Sequence, residues 1–287
     1  MKILVTGVKG QLGYDIVKEL LKRGYTDVVG VDYEDFDITD EKAVRKYIEN
    51  CKPDVIMHNA AWTAVDKAED MEEECYKVNV LGTKHLVEMA QELKTKFVYI
   101  STDYVFNGQG SDFFETNSPK EPLSVYGKTK YLGELEAAKC KKHFIVRISW
   151  VFGINGKNFV KTMLNLAKTK NELNVVDDQI GSPTYTFDLA KLLCDMIESE
   201  KYGVYHATNE NTCSWYEFAK KIFEIAGKDV KVNPVSSKDY ITKAVRPKNS
   251  RLSKKSLDQA GFKRLPSWED ALNRYINDEL ENEMEER

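Results

Sequence analysis

Apolar positions fall along this 287-residue chain in two alternating rhythms. Lys2 to Thr6 is a short run of Ile, Leu and Val, which predicts a buried strand. Leu12, Ile16, Leu20 and Leu21 then recur at helical spacing, with Gly24 as the stop. Asp27 to Asp32 predicts a second strand. Thr39 or Asp40 caps a helix running to about Asn50, and Pro53 precedes a third strand, Asp54 to His58. A long helical stretch follows from about Met71 to Leu93, then a strand from Phe97 to Ser101, a helix from Tyr126 to Lys142 and a strand from Phe144 to Ser149. Strand and helix thus alternate through residue 150, the pattern of an α/β, doubly wound parallel sheet of the Rossmann type.

Beyond residue 150 the alternation loosens. Helices are predicted near 158–170, 188–199, 214–227 and 267–282, with a short strand before Gly181-Ser182-Pro183-Thr184 and another from Gly203 to Thr208. The chain therefore reads as a dinucleotide-binding core over 1–150 and a smaller, mixed, mainly substrate-binding region over 151–287 whose strands can extend the core sheet. The acidic end, Glu279 to Arg287, reads as a fraying helix.

Chemistry collects where predicted strands end. Between the first strand and helix stand Thr6-Gly7-Val8-Lys9-Gly10-Gln11-Leu12-Gly13. Glycines at that spacing let the backbone turn sharply and approach a pyrophosphate, and the helix start offers unpaired N–H groups at its positive end. Asp32 lies 19 residues beyond Gly13, the spacing of a carboxylate that accepts from an adenosine ribose, and Asp37-Ile38 can flank the adenine. Asn59-Ala60-Ala61-Trp62-Thr63 closes the third strand with small residues that suit close passage of a cofactor. Thr102 puts a hydroxyl at the end of a central strand. Tyr126 and Lys130, four apart, project from one helical face, so a cation can stabilise a phenolate there and pull the phenol toward the working range of a proton donor. Asn79 sits in the long helical stretch and reads equally as solvated or as satisfied in the core. The loop 107–124 carries two glycines and two prolines and is long enough to suggest function. Arg246 to Leu252 is a basic loop, a phosphate contact or a solvated linker.

Composition removes several classes. A hydrophobic content of 42% supports a sizeable core and 31% charged residues a solvated surface, while a net charge of −4 argues against nucleic acid. MKILVTG reads as neither a signal peptide nor a membrane span, and no apolar run approaches the roughly 18 residues of a membrane helix. Five scattered cysteines without C-x-x-C, and four histidines without a ligand-spaced pair, speak against disulfides and zinc and for a reducing cytoplasm.

Taken in order, these motifs resemble the extended short-chain dehydrogenase/reductase family. More narrowly, Asn59 to Glu69, Ser101 to Phe106, Arg147 to Val151, Gly181 to Thr184 and Arg246-Pro247-x-Asn249-Ser250-x-Leu252 are similar to the dTDP-4-dehydrorhamnose reductases, over residues 1 to about 275. The resemblance implies NAD(P)H-dependent reduction of the 4-keto group of a dTDP-sugar; Asp32, which would repel a 2′-phosphate, and Tyr33, which supplies no cation, make NADH the expected preference, with NADPH allowed. The resemblance makes Tyr126 the proton donor, Lys130 the ribose ligand that lowers the Tyr126 pKa, and Thr102 a hydrogen-bond partner of the reacting oxygen. Gly7, Gly10, Gln11, Leu12 and Gly13 line the pyrophosphate, Asp32, Asp37 and Ile38 the adenosine, and Ala60, Ala61, Trp62 and Thr63 approach the cofactor. Asp103, Val105, Phe106, Trp150 and Arg246 join Thr102 on the substrate side. Family members can hold magnesium at a dimer interface with glutamates. Asp15 and Phe187-Asp188 stand at those positions here, so no metal requirement is expected, and a homodimer stays open. Two other readings also stay open: another nucleotide-sugar epimerase, dehydratase or reductase, and a non-catalytic, cofactor-binding regulatory subunit.

Overall fold

The first strand shows how the sheet is built. In β1 (Ile3–Thr6), Ile3 and Val5 face one side and Leu4 the other, and all three are fully buried. A strand apolar on both faces needs helices on both sides of its sheet. The computed structural model, which describes residues 1–240 and 242–280, supplies them. In chain order come α1 (Gln11–Lys22), β2 (Val28–Val31), α2 (Glu41–Cys51), β3 (Val55–His58), α3 (Val65–Ala68), α4 (Glu72–Tyr76), α5 (Thr83–Glu92), β4 (Lys96–Thr102), α6 (Val125–Ala137) and β5 (His143–Ile148). The second half adds β6 (Val151–Phe152), α7 (Phe159–Leu166), β7 (Glu172–Val176), β8 (Ile180–Gly181), β9 (Thr184–Tyr185), α8 (Thr186–Glu198), β10 (Gly203–His206), β11 (Cys213–Ser214), α9 (Trp215–Ile225), β12 (Lys231–Val235), β13 (Asn249–Ser250), α10 (Lys255–Ala260) and α11 (Trp268–Arg274).

The main sheet has six strands in the order β2-β1-β3-β4-β5-β10, every pairing parallel. On one face Leu12, Ile16 and Leu20 of α1 and Leu189, Leu193 and Ile197 of α8 pack on Ile3, Val5, Met57 and Val146. On the other, Val44 and Ile48 of α2, Leu86 and Ala90 of α5 and Ala137 of α6 cover Leu4, Ile56, Phe97 and Ile145. Each fully buried Leu, Ile or Phe contributes about 1.5–3 kcal/mol. The doubly wound sheet is therefore the observed fold, and α8 and β10 from the second half complete it. A third cluster, with Phe152, Phe218, Trp268 and Tyr275, holds the remaining elements beside the carboxyl edge.

Three elements differ from their sequence pattern. The stretch read as one helix from Met71 to Leu93 is interrupted by a wide π turn, Lys77–Gly82, between α4 and α5. That turn carries Asn79 into the interior, where it binds the backbone of Trp62. The helix expected to reach Lys142 ends at Ala137, because the chain must turn to enter β5 at His143; Cys140 is buried in that turn while Lys139, Lys141 and Lys142 are exposed. The last helix is α-helical to Arg274 and continues as π turns, Tyr275–Leu280. Residues 281–287 of the acidic end lie outside the described residues.

Helix α6 meets β4 at Gly133, where an added Cβ would overlap the Tyr99 hydroxyl and lie 2.6 Å from the Asn79 carbonyl. In an open helix Gly→Ala gains about 1 kcal/mol. Here overpacking of about 1–3 kcal/mol should win, so Gly133→Ala should lower the melting temperature by several degrees. An unchanged or higher melting temperature would show that the helix can back away.

Candidate active site

The strand order reverses between β1 and β3, and a doubly wound sheet leaves a crevice at the carboxyl ends there. Gly7 leaves β1 with φ of 71°, and its position is so close to Ala60 that a Cβ would lie 2.8 Å from Ala60 N. The result is a cleft of about 970 Å³. Gly7, Gly10, Gln11, Leu12, Gly13, Asp32, Asp37, Ile38, Ala60, Ala61, Trp62 and Thr63 all line it, together with Thr102, Asp103, Tyr126, Lys130 and Trp150.

A nicotinamide dinucleotide fits what these residues offer. Gly10 caps α1 without a side-chain hydrogen bond, and the first turn holds no acidic residue, so its N–H groups and positive dipole end suit a pyrophosphate. At the far end Asp32 is oriented by the N–H groups of Lys9 and Tyr33, each at 2.9 Å. Lys9 reaches back to Glu34 at 2.7 Å, which places a cation beside the ribose position that its glycine-loop context did not suggest. Asn59 Oδ1 is buried in the same cleft without a partner among the described residues.

Behind the cleft runs a chain of buried hydrogen bonds. The Thr6 hydroxyl accepts from Asn59 N and Ala60 N, both 3.1 Å, and donates to His58 Nδ1 at 2.9 Å. Thr83 gives its own proton to the Asn79 carbonyl, so His58 Nε2 donates to the Thr83 hydroxyl. His58 is therefore neutral, and burial beside Lys130 pushes it down to about 3. The Asn79 side chain accepts from Trp62 N at 2.8 Å and donates to Trp62 O and to the Thr129 hydroxyl. It ties the cofactor-side loop to the Tyr126 helix, so the core-satisfied reading of Asn79 is the right one. Spacing alone did not reveal this.

Ser124 caps α6, accepting from Gly127 N at 3.1 Å, and so aims Tyr126 at the cleft. Part of the Tyr126 ring faces the cleft, but the surrounding protein desolvates its phenol. Burial pushes that phenol well above its ordinary range, against a hydrogen bond with Thr102. Burial pushes Lys130 down to about 7, opposed by Glu134, and its ammonium lies 4.1 Å from the Tyr99 ring centroid. At the Tyr126 phenol burial is the largest effect and the Thr102 hydroxyl the opposing one, and no pull from Lys130 registers there. A phenol held protonated is the form that can donate. Thr102 donates to Asp103 Oδ1 at 3.0 Å, and Ser250 to Asp103 Oδ2 at 2.5 Å. Burial raises Asp103 to about 6.

A second cavity of about 600 Å³ adjoins the first and shares Val65, Tyr104 and Trp150 with it. Trp150 stacks on Trp215 with ring centroids 3.8 Å apart. Arg246 lines this second cavity, held by Asp66 at 2.7 Å, while its Nη1 is buried without a partner among the described residues. Val105 and Phe106 line neither cavity. They are buried with Leu252, and Phe106 stacks on Phe114 at 4.5 Å. The loop 107–124 also lines neither. Asn249 grips it at Asp112 O (2.8 Å) and Arg147 at Thr116 O (2.9 Å), so it braces the site from behind.

The profile of the RmlD substrate binding domain matches residues 1–281. A dTDP-4-dehydrorhamnose reductase of Aggregatibacter actinomycetemcomitans is 42% identical over 94% of this chain and 97% of its own. The chain belongs to the dTDP-4-dehydrorhamnose reductase family. A crystal structure of a dTDP-4-dehydrorhamnose reductase from Clostridium acetobutylicum superposes with a TM-score of 0.94 at 43% identity, covering 96% of this chain and 99% of that one. The Bacillus anthracis reductase, solved in complex with NADP, gives 0.93 at 41% identity with the same coverage.

Where the family can carry a metal, Asp15 accepts the Thr186 hydroxyl at 2.5 Å and Asp188 pairs with Arg274 at 2.7 Å. Among the described residues no group of three or more His, Cys, Asp or Glu is arranged to hold a metal, and no helix is long and apolar enough to cross a membrane.

Asn79→Ala tests the clamp. It leaves the Trp62 N–H without its buried partner and breaks the link to Thr129, at a cost of about 1–3 kcal/mol. Denaturant melts should show that loss, and NADH titration should show weaker binding. Wild-type affinity with lowered stability would confine Asn79 to the core.

Proposed function

We propose that the chain is a nicotinamide-dependent reductase that converts dTDP-4-dehydro-L-rhamnose to dTDP-L-rhamnose. The observation that carries this reading is one cleft holding Thr102, Tyr126 and Lys130 beside a dinucleotide cradle and opening past Trp150 onto a second cavity. The reduced nicotinamide supplies a hydride when bound. As negative charge grows on the sugar's carbonyl oxygen, the hydroxyls of Thr102 and Tyr126 stabilise it more than they stabilise the neutral ketone. Tyr126 then gives its proton to that oxygen; its raised pKa makes it a donor only to a strong base such as an alkoxide. Lys130 orders the ribose. Trp150 offers a flat wall to the sugar or base, and the unpartnered Nη1 of Arg246 suits a phosphate oxygen of the substrate.

Asp32 and the neighbouring Glu34 and Asp35 favour a free ribose 2′-hydroxyl over a 2′-phosphate, which supports NADH as the preferred cofactor. Lys9 is the group that can temper this, and the Bacillus anthracis relative binds NADP. A like-charge contact costs on the order of 1–3 kcal/mol, so kcat/KM should favour NADH by roughly ten- to a hundredfold. A ratio at or below one overturns the preference. All five cysteines are free thiols, in keeping with a cytoplasmic enzyme. A homodimer remains compatible with this reading.

The deciding experiment is NADH oxidation against a panel of nucleotide-linked 4-keto sugars. Tyr126→Phe should lower kcat by about 10²–10⁴-fold and leave NADH affinity within a few-fold. Lys130→Met should lose both rate and affinity, and Thr102→Val mainly rate. Tight NADH binding with no turnover of any sugar would favour a regulatory subunit instead. Hydride recycling without net NADH consumption would point to an epimerase or dehydratase.

A further inference from the structure

The Arg147–Glu134 ion pair has no contact with either cavity, yet it sits one helical turn beyond the lysine of the site. Both partners are almost fully buried, at 2% and 4% exposure. Glu134 accepts Arg147 Nε at 2.8 Å and Nη2 at 2.7 Å, and also the Ser101 hydroxyl at 2.5 Å. The remaining Arg147 nitrogen, Nη1, donates to Thr116 O and to His206 Nε2, and His206 Nδ1 donates to Ser253 O. Every nitrogen of the guanidinium thus donates, and the Phe106 ring lies 5.2 Å from its carbon.

A buried pair of this kind contributes little net stability, since desolvation offsets the attraction, and apolar replacements are often as stable. Its position points to another role. Tyr99 and Ser101 alternate on β4 and so face the same side, toward α6. Tyr99 carries the Lys130 ammonium on its ring and Ser101 carries the Glu134 carboxylate. Lys130 and Glu134, four apart on α6, therefore lie along one face of the same strand.

We propose that Glu134, fixed in place by Arg147 and Ser101, is a positioning residue that keeps the buried Lys130 charged for cofactor binding. This rests on the reading of Lys130 as the ribose ligand. Burial alone drives the ammonium toward its neutral form, and Glu134 opposes that drive. The other groups facing Lys130 do not take over. On its own helix Tyr126 is held protonated. Cys75 of α4 is pushed up by burial, Tyr99 of β4 is raised well above its ordinary range, and His58 of β3 is neutral.

The sign follows directly. Lys130 is charged below its pKa, so NADH binding should weaken as pH rises through that value. Removing the carboxylate while Arg147 stays leaves only a like charge nearby and lowers that value. Asp103, near 6, titrates on the acid side and is separable. The test is the NADH dissociation constant of the full chain, from nicotinamide fluorescence, between pH 6 and 9. In Glu134→Gln the alkaline weakening should begin about one pH unit lower than in wild type. An unmoved or upward limb, with only a lower melting temperature, overturns the proposal and leaves the pair structural. Should Glu134→Gln not fold, Arg147→Met decides. It leaves the carboxylate facing Lys130 as its nearest cation, so the limb should move upward, and an unmoved or downward limb overturns the idea. The readout needs no sugar, so failure of the reductase assay and failure of this shift are distinguishable.

Discussion

The molecule turns on the gap between β1 and β3, where the strand order reverses. There the chain must leave a strand, reverse and start a helix within a few residues, all against a neighbouring backbone. Gly7 makes the turn at positive φ, and Gly13 passes so near the Gly7 carbonyl that any Cβ would overlap it. The same closeness would strand the N–H groups of Asn59 and Ala60 at the end of β3, and the Thr6 hydroxyl accepts both. Once this crossing is fixed, the start of α1 points its N–H groups into the crevice, and the ends of β3, β4 and β5 deliver the remaining side chains to one cleft.

Behind that crevice the core is unusually polar. His58, Thr83, Asn79 and Thr129 are each nearly or fully buried, as are Ser101, Glu134, Arg147 and His206. In a low-dielectric interior such groups are costly when unpaired and restrictive when paired. Here each hydroxyl or ring nitrogen has a defined donor or acceptor, so the helix that carries Tyr126 and Lys130 has one seating on the sheet. Leucines in the same places would pack as well and would hold that helix less specifically.

How far the sequence foretells the site depends on how local each interaction is. The glycine spacing, Asp32 and the Tyr126–Lys130 pair are legible because each acts over a single turn or strand–helix unit. Asn79 was ambiguous, since its role rests on a π turn and on partners 17 and 50 residues away. Arg147 shows only as part of a motif, and its partners at 116, 134 and 206 come from three separate segments. Val105 and Phe106 mislead in the opposite way. They come within four residues of Thr102, but a short 3-10 turn, Asp103–Val105, sends them into the core against Leu252. The Tyr126 pKa escapes the sequence for a related reason: spacing shows the nearby cation but not the burial that raises the phenol.

Trp150 shows how the two cavities are held in register. It is a bulky residue at φ of 51°, a left-handed conformation that costs an L side chain roughly 1–2 kcal/mol. Its stack on Trp215, the bond from Thr184 N to its carbonyl at 3.1 Å, and Gly181 against its ring hold it there. A regular backbone would carry the indole along the strand direction and away from the shared wall. The same residue stands two positions beyond the end of β5, whose Ile148 is paired with Thr102 of β4. One strand pairing thus sets the distance between the Thr102 hydroxyl and the Trp150 ring in the cleft. Slippage of β5 by one residue would turn its side chains to the other face and break this arrangement, so the parallel register of β4 and β5 is part of what builds the cleft.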